Sequence, residues 1–320
     1  MQILMQQELI SDAFVFTVRT DNAGVSGDNQ FIVSTGSAGV TIPFLYDIET
    51  SDGQIITGLT GDTVLTFPAD GEYDIIIRGI FPYMYFANGK DKDKLLDIKN
   101  LGIYGLGSTS QTGAFQGCSN LVISASDRGY FSSVTDFSYA WSDCRSLTSF
   151  PLIDTSSATS FLTTWYNCSS LTSFPLLDTS SGNEFGSTWK DCSSLTSFPL
   201  LDTSNATYFN GTWRGCSSLT SFPLIDTSSG NDFTVAWQSC TSLAAFPANA
   251  FDTNIATNYS DAFQSTNLTT QSIDDILVSL DTSGVSNGTF TQSGGNTPSA
   301  TGLAAKDSLV LKGWNITTTT

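Results

Sequence analysis

The 320-residue sequence contains no histidine, and this absence removes several kinds of chemistry. Without an imidazole, Ser-His and Cys-His nucleophilic catalysis is excluded, and the commonest protein ligand for metals is missing. Basic residues are also scarce, since 12 Lys and Arg stand against 30 Asp and Glu and give a net charge of −18. Nucleic acid and anionic membranes would repel such a chain, so neither is expected as a partner.

The sequence also lacks long apolar runs. No stretch of about 18 apolar residues is present, so neither a transmembrane helix nor insertion into a membrane is predicted. The first residues, MQILMQQELISDAF, have neither the basic nor the apolar segment of a signal peptide. We therefore expect the chain to fold in a cytoplasm.

Cysteine occurs six times, but no two cysteines have the CxxC spacing of a metal or redox site. They lie one per sequence repeat, 24 or 26 residues apart. Because nothing indicates an oxidising compartment, small buried thiols are favoured over disulfides. No cofactor and no metal site are predicted from these residues.

A 24-residue repeat occupies the middle of the chain, and the stretch WRGCSSLTSFPLIDTS at 213–228 is typical of it. The tryptophans at this interval are Trp141, Trp165, Trp189, Trp213 and Trp237, and Phe, Cys and Pro recur with them. Degenerate copies at 114–121 and 261–268 extend the array to about seven units over residues 109–268. One unit cannot bury its own apolar face, so neighbouring units are expected to stack around a continuous core.

Within a unit, the residue spacing predicts a short helix. Phe161, Trp165 and Cys168 stand at i, i+4 and i+7, which places three side chains on one helical face. An N-cap residue is expected two positions before each Phe, and these positions hold Thr159, Asn183, Thr207 and Asn231.

The segment that follows, SLTSFPL, predicts a short strand because it fits the leucine-rich template LxxLxL. Leu147, Phe150 and Leu152 are then expected to point inward, and the proline keeps the strand brief. Residues 109–268 are therefore predicted to form an α/β solenoid of leucine-rich repeats, built from 24-residue helix-strand units.

The segments on either side of the repeats have other patterns. Residues 1–108 contain short β-rich runs, such as FVFTV and YDIIIRGI, between Gly, Asp and Asn turns, which predicts a small antiparallel all-β sandwich. The lysine-rich stretch NGKDKDKLLDIKN in this segment is interpreted as a solvated loop, with a contact site as the alternative.

Residues 269–320 predict a small helical C-terminal cap. Apolar residues recur at helical spacing at Ile273, Ile276, Leu277 and Leu280, behind a Ser-x-x-Asp capping box. Pro298 and Gly313 are placed to begin and end a second helix.

Two recurring residue types also have a functional interpretation. A ladder of tryptophans could form a sugar-stacking platform, but the face it shares with Phe and Cys favours a core position. The acids Asp154, Asp178, Asp202 and Asp226 could line a cation track, but an aspartate in a turn more often bonds its own backbone. No second acid follows at a fixed short distance, which disfavours a glycosidase and, with it, an enzyme.

Side chains that differ between the repeats indicate a candidate partner-binding surface. The residue after each Trp is expected to face away from the core, and these residues are Tyr166, Lys190, Arg214 and Gln238. Tyr and Arg are types that often dominate binding energy, although drift at exposed positions would give the same variety. The residues before each Phe also alternate, reading ATS, GNE, ATY and GND.

The unit F-xxx-W-xx-C-xx-L-xx-F, closed by DTS, resembles the BspA-like leucine-rich repeat surface proteins over residues 109–268. The segments YDIETSDG, TFPADGEYDIIIRGIFP and DKLLDIKNLGIYG resemble the PKD-like, immunoglobulin-type β-sandwich that often precedes such repeats. The usual Trp-Gly-Asp-Gly is here Thr50-Ser51-Asp52-Gly53. The C-terminal segment, 269–320, is similar to that of such proteins encoded by bacteriophages.

The resemblance implies a non-enzymatic bacteriophage virion surface protein, such as a tail fibre or spike, with a receptor-binding or adhesion role. The implied partners are other virion proteins and a host cell-surface protein or glycan, and a homo-oligomer is compatible with it. The expected location is the virion surface after assembly in the host cytoplasm, because bacterial relatives are exported adhesins and no signal peptide is seen here. A passive capsid or tail decoration protein and a bacterial cell-surface adhesin are the alternatives.

Overall fold

The structure, a computed structural model, describes residues 12–320. The stretch assessed for a signal peptide and the start of the predicted sandwich, residues 1–11, lie outside the described residues. The chain divides into two compact units, Met1–Ala158 and Thr159–Thr320. This division falls within the repeat region, and the predicted domain boundaries after residues 108 and 268 stay predictions.

The described part of the first unit contains eight strands. Their bounds are β1 Phe14–Arg19, β2 Gln30–Val33, β3 Leu45–Thr50, β4 Ile55–Leu59, β5 Thr63–Thr66, β6 Glu72–Ile80, β7 Leu95–Asn100 and β8 Val122–Ile123. Six of them form one sheet in the order β4-β3-β6-β1-β7-β8, and β2 pairs with β5. All the pairs are antiparallel except β7 with β8, which is parallel.

This sheet corrects the prediction of an antiparallel immunoglobulin/PKD-like sandwich confined to residues 1–108. β8 directly follows the first degenerate copy, within the predicted repeat region, and it pairs with β7 by placing Val122 opposite Asp97 and Ile123 opposite Ile98. Without β8, β7 would be an edge strand with unpaired backbone groups. The repeat region therefore completes a mixed sheet that begins in the N-terminal segment.

The lysine-rich stretch before β7 is not a solvated loop. Asp91 and Lys94 are both fully buried. The Lys94 ammonium donates to three backbone carbonyls of residues 26–30, and the Asp91 carboxylate accepts from three backbone amides of residues 25–32. Burial of a charge is tolerated where hydrogen bonds replace its hydration, so this pair fixes the loop before β2 to the chain before β7.

The second unit contains both α-helices of the described residues, α1 Thr270–Thr282 and α2 Ala300–Leu311, and the first unit contains a 3₁₀ helix at Lys92–Lys94. Its strands, β9 Asn258–Phe263, β10 Thr289–Gln292 and β11 Asn315–Thr317, form a parallel sheet in the order β11-β10-β9. The N-cap of α1 is Thr269 rather than the predicted Ser272, because the Thr269 hydroxyl accepts from the Ser272 amide. Within residues 12–320, no helix has the length and apolarity needed to cross a membrane.

The predicted leucine-rich repeat solenoid of helix-strand units is wrong, because the described chain has neither helix nor strand between residues 159 and 257. Each predicted helix is two consecutive four-residue turns, closed by Thr164 N to Phe161 O at 3.2 Å and by Cys168 N to Trp165 O at 3.2 Å. The third residue of each turn, Thr163 or Asn167, has a positive φ of 58° or 55°. Left-handed residues interrupt an α-helix, but a four-residue turn keeps the Phe-to-Trp spacing that suggested one.

The amides that a helix would use are bonded to the next repeat instead. Thr163 N donates to Gly186 O and Trp165 N donates to Thr188 O, each at 2.9 Å. Amides therefore alternate between a partner in the same turn and a partner one repeat further along the chain. Single-residue parallel bridges join Ser160, Glu184, Tyr208 and Asp232 in the same manner. The repeats of the second unit are thus stacked in register by backbone hydrogen bonds.

Three columns of aromatic rings fill the interior of this stack. The first column is Trp165, Trp189, Trp213 and Trp237, with ring centroids between 5.3 and 6.1 Å apart and planes within 8°. The others are Phe161, Phe185, Phe209 and Phe233, and Phe174, Phe198, Phe222 and Phe246. The repeat tryptophans are at most 2% exposed, so their predicted core position is confirmed and they offer no platform for a sugar.

The cysteines are free and buried, as predicted. Cys192 Sγ donates to Trp165 O and Cys216 Sγ donates to Trp189 O, both at 3.1 Å, so the thiol satisfies a carbonyl of the preceding repeat. Burial raises the pKa of the Cys240 thiol to about 12 and the pKa of the Cys192 thiol well above its usual range. These thiols therefore have a structural role and little thiolate at neutral pH.

The predicted inward position of Leu152 is wrong, since its side chain is 41% exposed and the next residue, Ile153, is 3% exposed. The next-but-one repeat shows the same pattern, since Leu200 is 62% exposed and Leu201 is 2% exposed. Leu201 N donates to Pro199 O at 3.0 Å, which is a three-residue turn. The proline thus begins a turn rather than ending a strand, and the inward position moves by one residue.

Adjacent leucines provide the first test of this register. Leu201→Ala should lower the free energy of unfolding by about 2–5 kcal/mol because it leaves a cavity in the core. Leu200→Ala, the matched control, should change it by less than about 0.5 kcal/mol. Urea unfolding of the two variants measures both values. A larger loss of unfolding free energy for Leu200→Ala than for Leu201→Ala would instead support the inward position predicted from the sequence.

A second test uses the left-handed turn position. Val235 has a φ of 51° at the place that Gly211 occupies one repeat earlier. A β-branched residue there is strained by about 1–2 kcal/mol, so Val235→Gly should raise the free energy of unfolding. In a helix the same change would lower it. Val64→Gly, at an exposed position of β5, is the control that should lower stability.

The thiols make a third test. The native protein should resist alkylation by iodoacetamide at pH 8, because a thiol with a pKa of about 12 is almost entirely protonated there. After unfolding without a reductant, all six cysteines should be alkylated, as counted by intact mass. Alkylation of fewer than six until a reductant is added would reveal a disulfide.

Candidate functional site

The four residues predicted as a partner-binding surface lie in equivalent positions of successive repeats in the second unit. Asn167 N donates to Lys190 O at 2.8 Å, and the amides of Asp191 and Gly215 donate to the carbonyls of Arg214 and Gln238 in the same way. We refer to Tyr166, Lys190, Arg214 and Gln238 as the outer row. The backbone ladder that aligns the repeats therefore also aligns these side chains.

Two members of the outer row are cations in a strongly acidic chain. The Lys190 ammonium lies over the Tyr166 ring, 5.2 Å from its centroid, which is a cation–π contact. Neither Lys190 nor Arg214 forms an ion pair with any described residue. Arg214 is exposed, whereas Tyr166, Lys190 and Gln238 are half-buried. The outer row thus offers a tyrosine ring that is covered on one face by an ammonium, and two positive charges without an ion-pair partner.

Gln238 differs from the rest of the row because its side chain is already engaged. Its Nε2 donates to Oε1 of Gln264, the residue whose carbonyl accepts from Ser239 N. An amide that is paired with another amide is less available to a partner. Recognition by the outer row would therefore depend mainly on Tyr166, Lys190 and Arg214.

The recurring aspartates cap turns, as the sequence indicated. Asp202 Oδ1 accepts from Ser204 N at 3.0 Å and from Ser204 Oγ at 2.7 Å, and Asp178 does the same with Ser180. The hydrogen bonds from Ser204 lower the pKa of Asp202. No group of three acids or cysteines that could hold a metal is present in residues 12–320.

Sequence reasoning missed a groove at the beginning of the repeats of the second unit. It has a volume of about 450 Å³, and its lining residues are Leu162, Asn183, Glu184, Thr207, Tyr208 and Asn231. We call it the Tyr208 groove. The alternation of ATS, GNE, ATY and GND before the phenylalanines was the available signal, because these triplets supply most of its lining.

A second pocket, of about 530 Å³, lies in the first unit and has Phe44, Tyr83 and Tyr85 in its lining. Tyr83 donates its hydroxyl to the carbonyl of Thr112, and burial raises its pKa well above the usual range. The hydroxyl is therefore a fixed, protonated donor that is already used within the protein.

No protein family, no curated protein and no solved structure matches this chain, so its resemblance to the BspA-like surface proteins stays a prediction.

Proposed function

We propose that this chain is a non-enzymatic surface protein of a bacteriophage particle that binds a receptor on the host cell through the outer row. The observation that carries this proposal is the contrast between a constant interior and changing side chains in register. Tyr166, Lys190 and Arg214 replace one another on a backbone ladder that is the same in each repeat. Such a surface can change its specificity without disturbing the core.

The chemistry of the outer row supports a partner with negatively charged or hydrogen-bond accepting groups. A guanidinium and an ammonium without ion-pair partners would gain charge-assisted hydrogen bonds from carboxylates or phosphates on a cell surface. A tyrosine ring adds apolar contact area at a low cost in conformational entropy. The net charge of −18 would oppose binding to most of the acidic surface, so contact would be restricted to the row.

The double variant Tyr166→Ala with Arg214→Ala tests the proposal. It should weaken attachment to host cells by more than about tenfold, or 1.4 kcal/mol, because it removes the aromatic and the exposed cationic contact. Binding of the fluorescently labelled full chain to a panel of intact bacterial strains measures this. The melting temperature should not change, since neither side chain belongs to the core.

The matched control is Leu176→Ala with Leu224→Ala, two exposed leucines separated by the same number of repeats. This variant should attach normally. The absence of saturable binding to any strain would indicate a passive decoration protein instead. Normal attachment of the Tyr166 and Arg214 double variant, together with a loss caused by changes in residues 12–108, would assign recognition to the N-terminal segment.

A further inference from the structure

The Tyr208 groove combines one exposed aromatic ring with several uncharged polar side chains. We propose that it is a saccharide-binding site that takes a neutral pyranose unit of a glycan. The volume of about 450 Å³ falls in the range of small-ligand sites. The claim that this glycan belongs to a host receptor rests on the proposed function. Saccharide binding by the groove itself can be measured independently of that function.

The ring of Tyr208 is a fixed platform rather than a loose surface side chain. It is 40% exposed, and it lies against Gly186 of the preceding repeat. A Cβ at Gly186 would stand 2.9 and 3.0 Å from two carbons of the ring and 3.1 Å from a methyl of Leu162. The equivalent residues of other repeats are Leu162, Asn210 and Thr234, so the glycine occurs only in the repeat that the ring covers.

A held aromatic ring suits the apolar face of a pyranose. The axial C–H groups on one side of a neutral sugar need a flat, apolar partner, and a tyrosine provides one together with a polar tip. No side-chain hydrogen bond of the Tyr208 hydroxyl is present within the described residues. The ring and its hydroxyl are therefore both available to a ligand.

The polar groups around the ring match the hydroxyls of a sugar. Asn183, Thr207 and Asn231 follow one another in register, with Thr207 N donating to Asn183 O and Asn231 N to Thr207 O, each at 3.0 Å. Both asparagine side chains are exposed, and neither forms a side-chain hydrogen bond in the part of the chain that the structure describes. An amide offers donors and an acceptor together, as a pair of vicinal hydroxyls requires.

The charges around the groove select against acidic sugars. Glu184 belongs to the lining, and Asp232 pairs with Tyr208 in the next parallel bridge. No Lys or Arg lines the groove. A carboxylate accepts hydrogen bonds from neutral hydroxyls, but it would repel the negative charge of a sialic acid or a sulfated sugar bound in the groove. The ligand is therefore a neutral saccharide.

Saturation-transfer difference NMR with the full chain tests the proposal. The probes are lactose, maltose, mannobiose and diacetylchitobiose, with 3′-sialyllactose as the acidic counterpart of lactose. At least one neutral probe should bind with a Kd of about 0.1–10 mM, as titration calorimetry would measure. Tyr208→Ala should weaken this binding more than about tenfold. Gly186→Ala should weaken it as well, because the new methyl displaces the ring.

Tyr130→Ala, at a tyrosine that is 49% exposed in the first unit, is the matched control and should bind as the unchanged protein does. Melting temperatures show whether each variant is folded. If Gly186→Ala does not fold, the result for Tyr208→Ala alone decides the test. The proposal is overturned if no neutral probe binds at about 10 mM, if Tyr208→Ala binds normally, or if 3′-sialyllactose binds more tightly than lactose. Saccharide binding without attachment to any cell would support the groove and contradict the proposed function.

Discussion

The backbone hydrogen bonds between successive repeats are the interaction on which the second unit depends. Trp165 N bonds to Thr188 O and Trp189 N bonds to Thr212 O, so each repeat supplies acceptors for the one before it. The ladder also accommodates a longer repeat, because Trp237 N donates to Ala262 O at 2.9 Å although this acceptor lies 25 residues along the chain rather than the 23 between Trp165 and Thr188. The ladder therefore keeps equivalent residues of successive repeats in line from Trp165 to Trp237 while the surface residues change.

The same constraint has a cost inside the stack. The indole N–H groups of Trp189, Trp213 and Trp237 are buried without an acceptor in the described part of the chain. The carbonyls of Phe185 and Trp189 accept from other donors, the Thr212 hydroxyl at 2.8 Å and the Cys216 thiol at 3.1 Å. Stacked aromatic pairs contribute about 0.5–1.5 kcal/mol each beyond their buried area, and every one of these tryptophans contacts several rings. Ring packing therefore offsets the unsatisfied donors.

The sequence was sufficient to predict which side chains are buried but not how the backbone buries them. Period and composition identified the Trp, Phe and Cys positions, since burial depends on side-chain chemistry that can be read directly.

The predicted helix was wrong because a turn of four residues reproduces the i, i+4 spacing of Phe161 and Trp165. Only the left-handed residues distinguish the two. Thr163 and Val235 give no hint of a positive φ, whereas Asn167, Asp191 and Gly215 in the second turn are types that adopt it readily. Leu152 was misplaced for a related reason, because the short turn at each Pro shifts the inward position by one residue. The Tyr208 groove escaped prediction because it depends on residues from four repeats.

A ladder that fixes the repeats in register also determines what a binding surface on it can be. Equivalent residues stand about 4.8 Å apart, the spacing of paired strands, so each repeat adds one side chain to any row. A large side chain in one repeat must be accommodated by its neighbour, and Gly186 beneath the ring of Tyr208 is such a case. The outer row meets the same requirement differently, since Lys190 and Tyr166 contact each other and share the space. On the proposed function, a new specificity would therefore need paired changes in adjacent repeats. A large aromatic side chain introduced without a matching small residue beneath it would have no fixed position and would bind weakly.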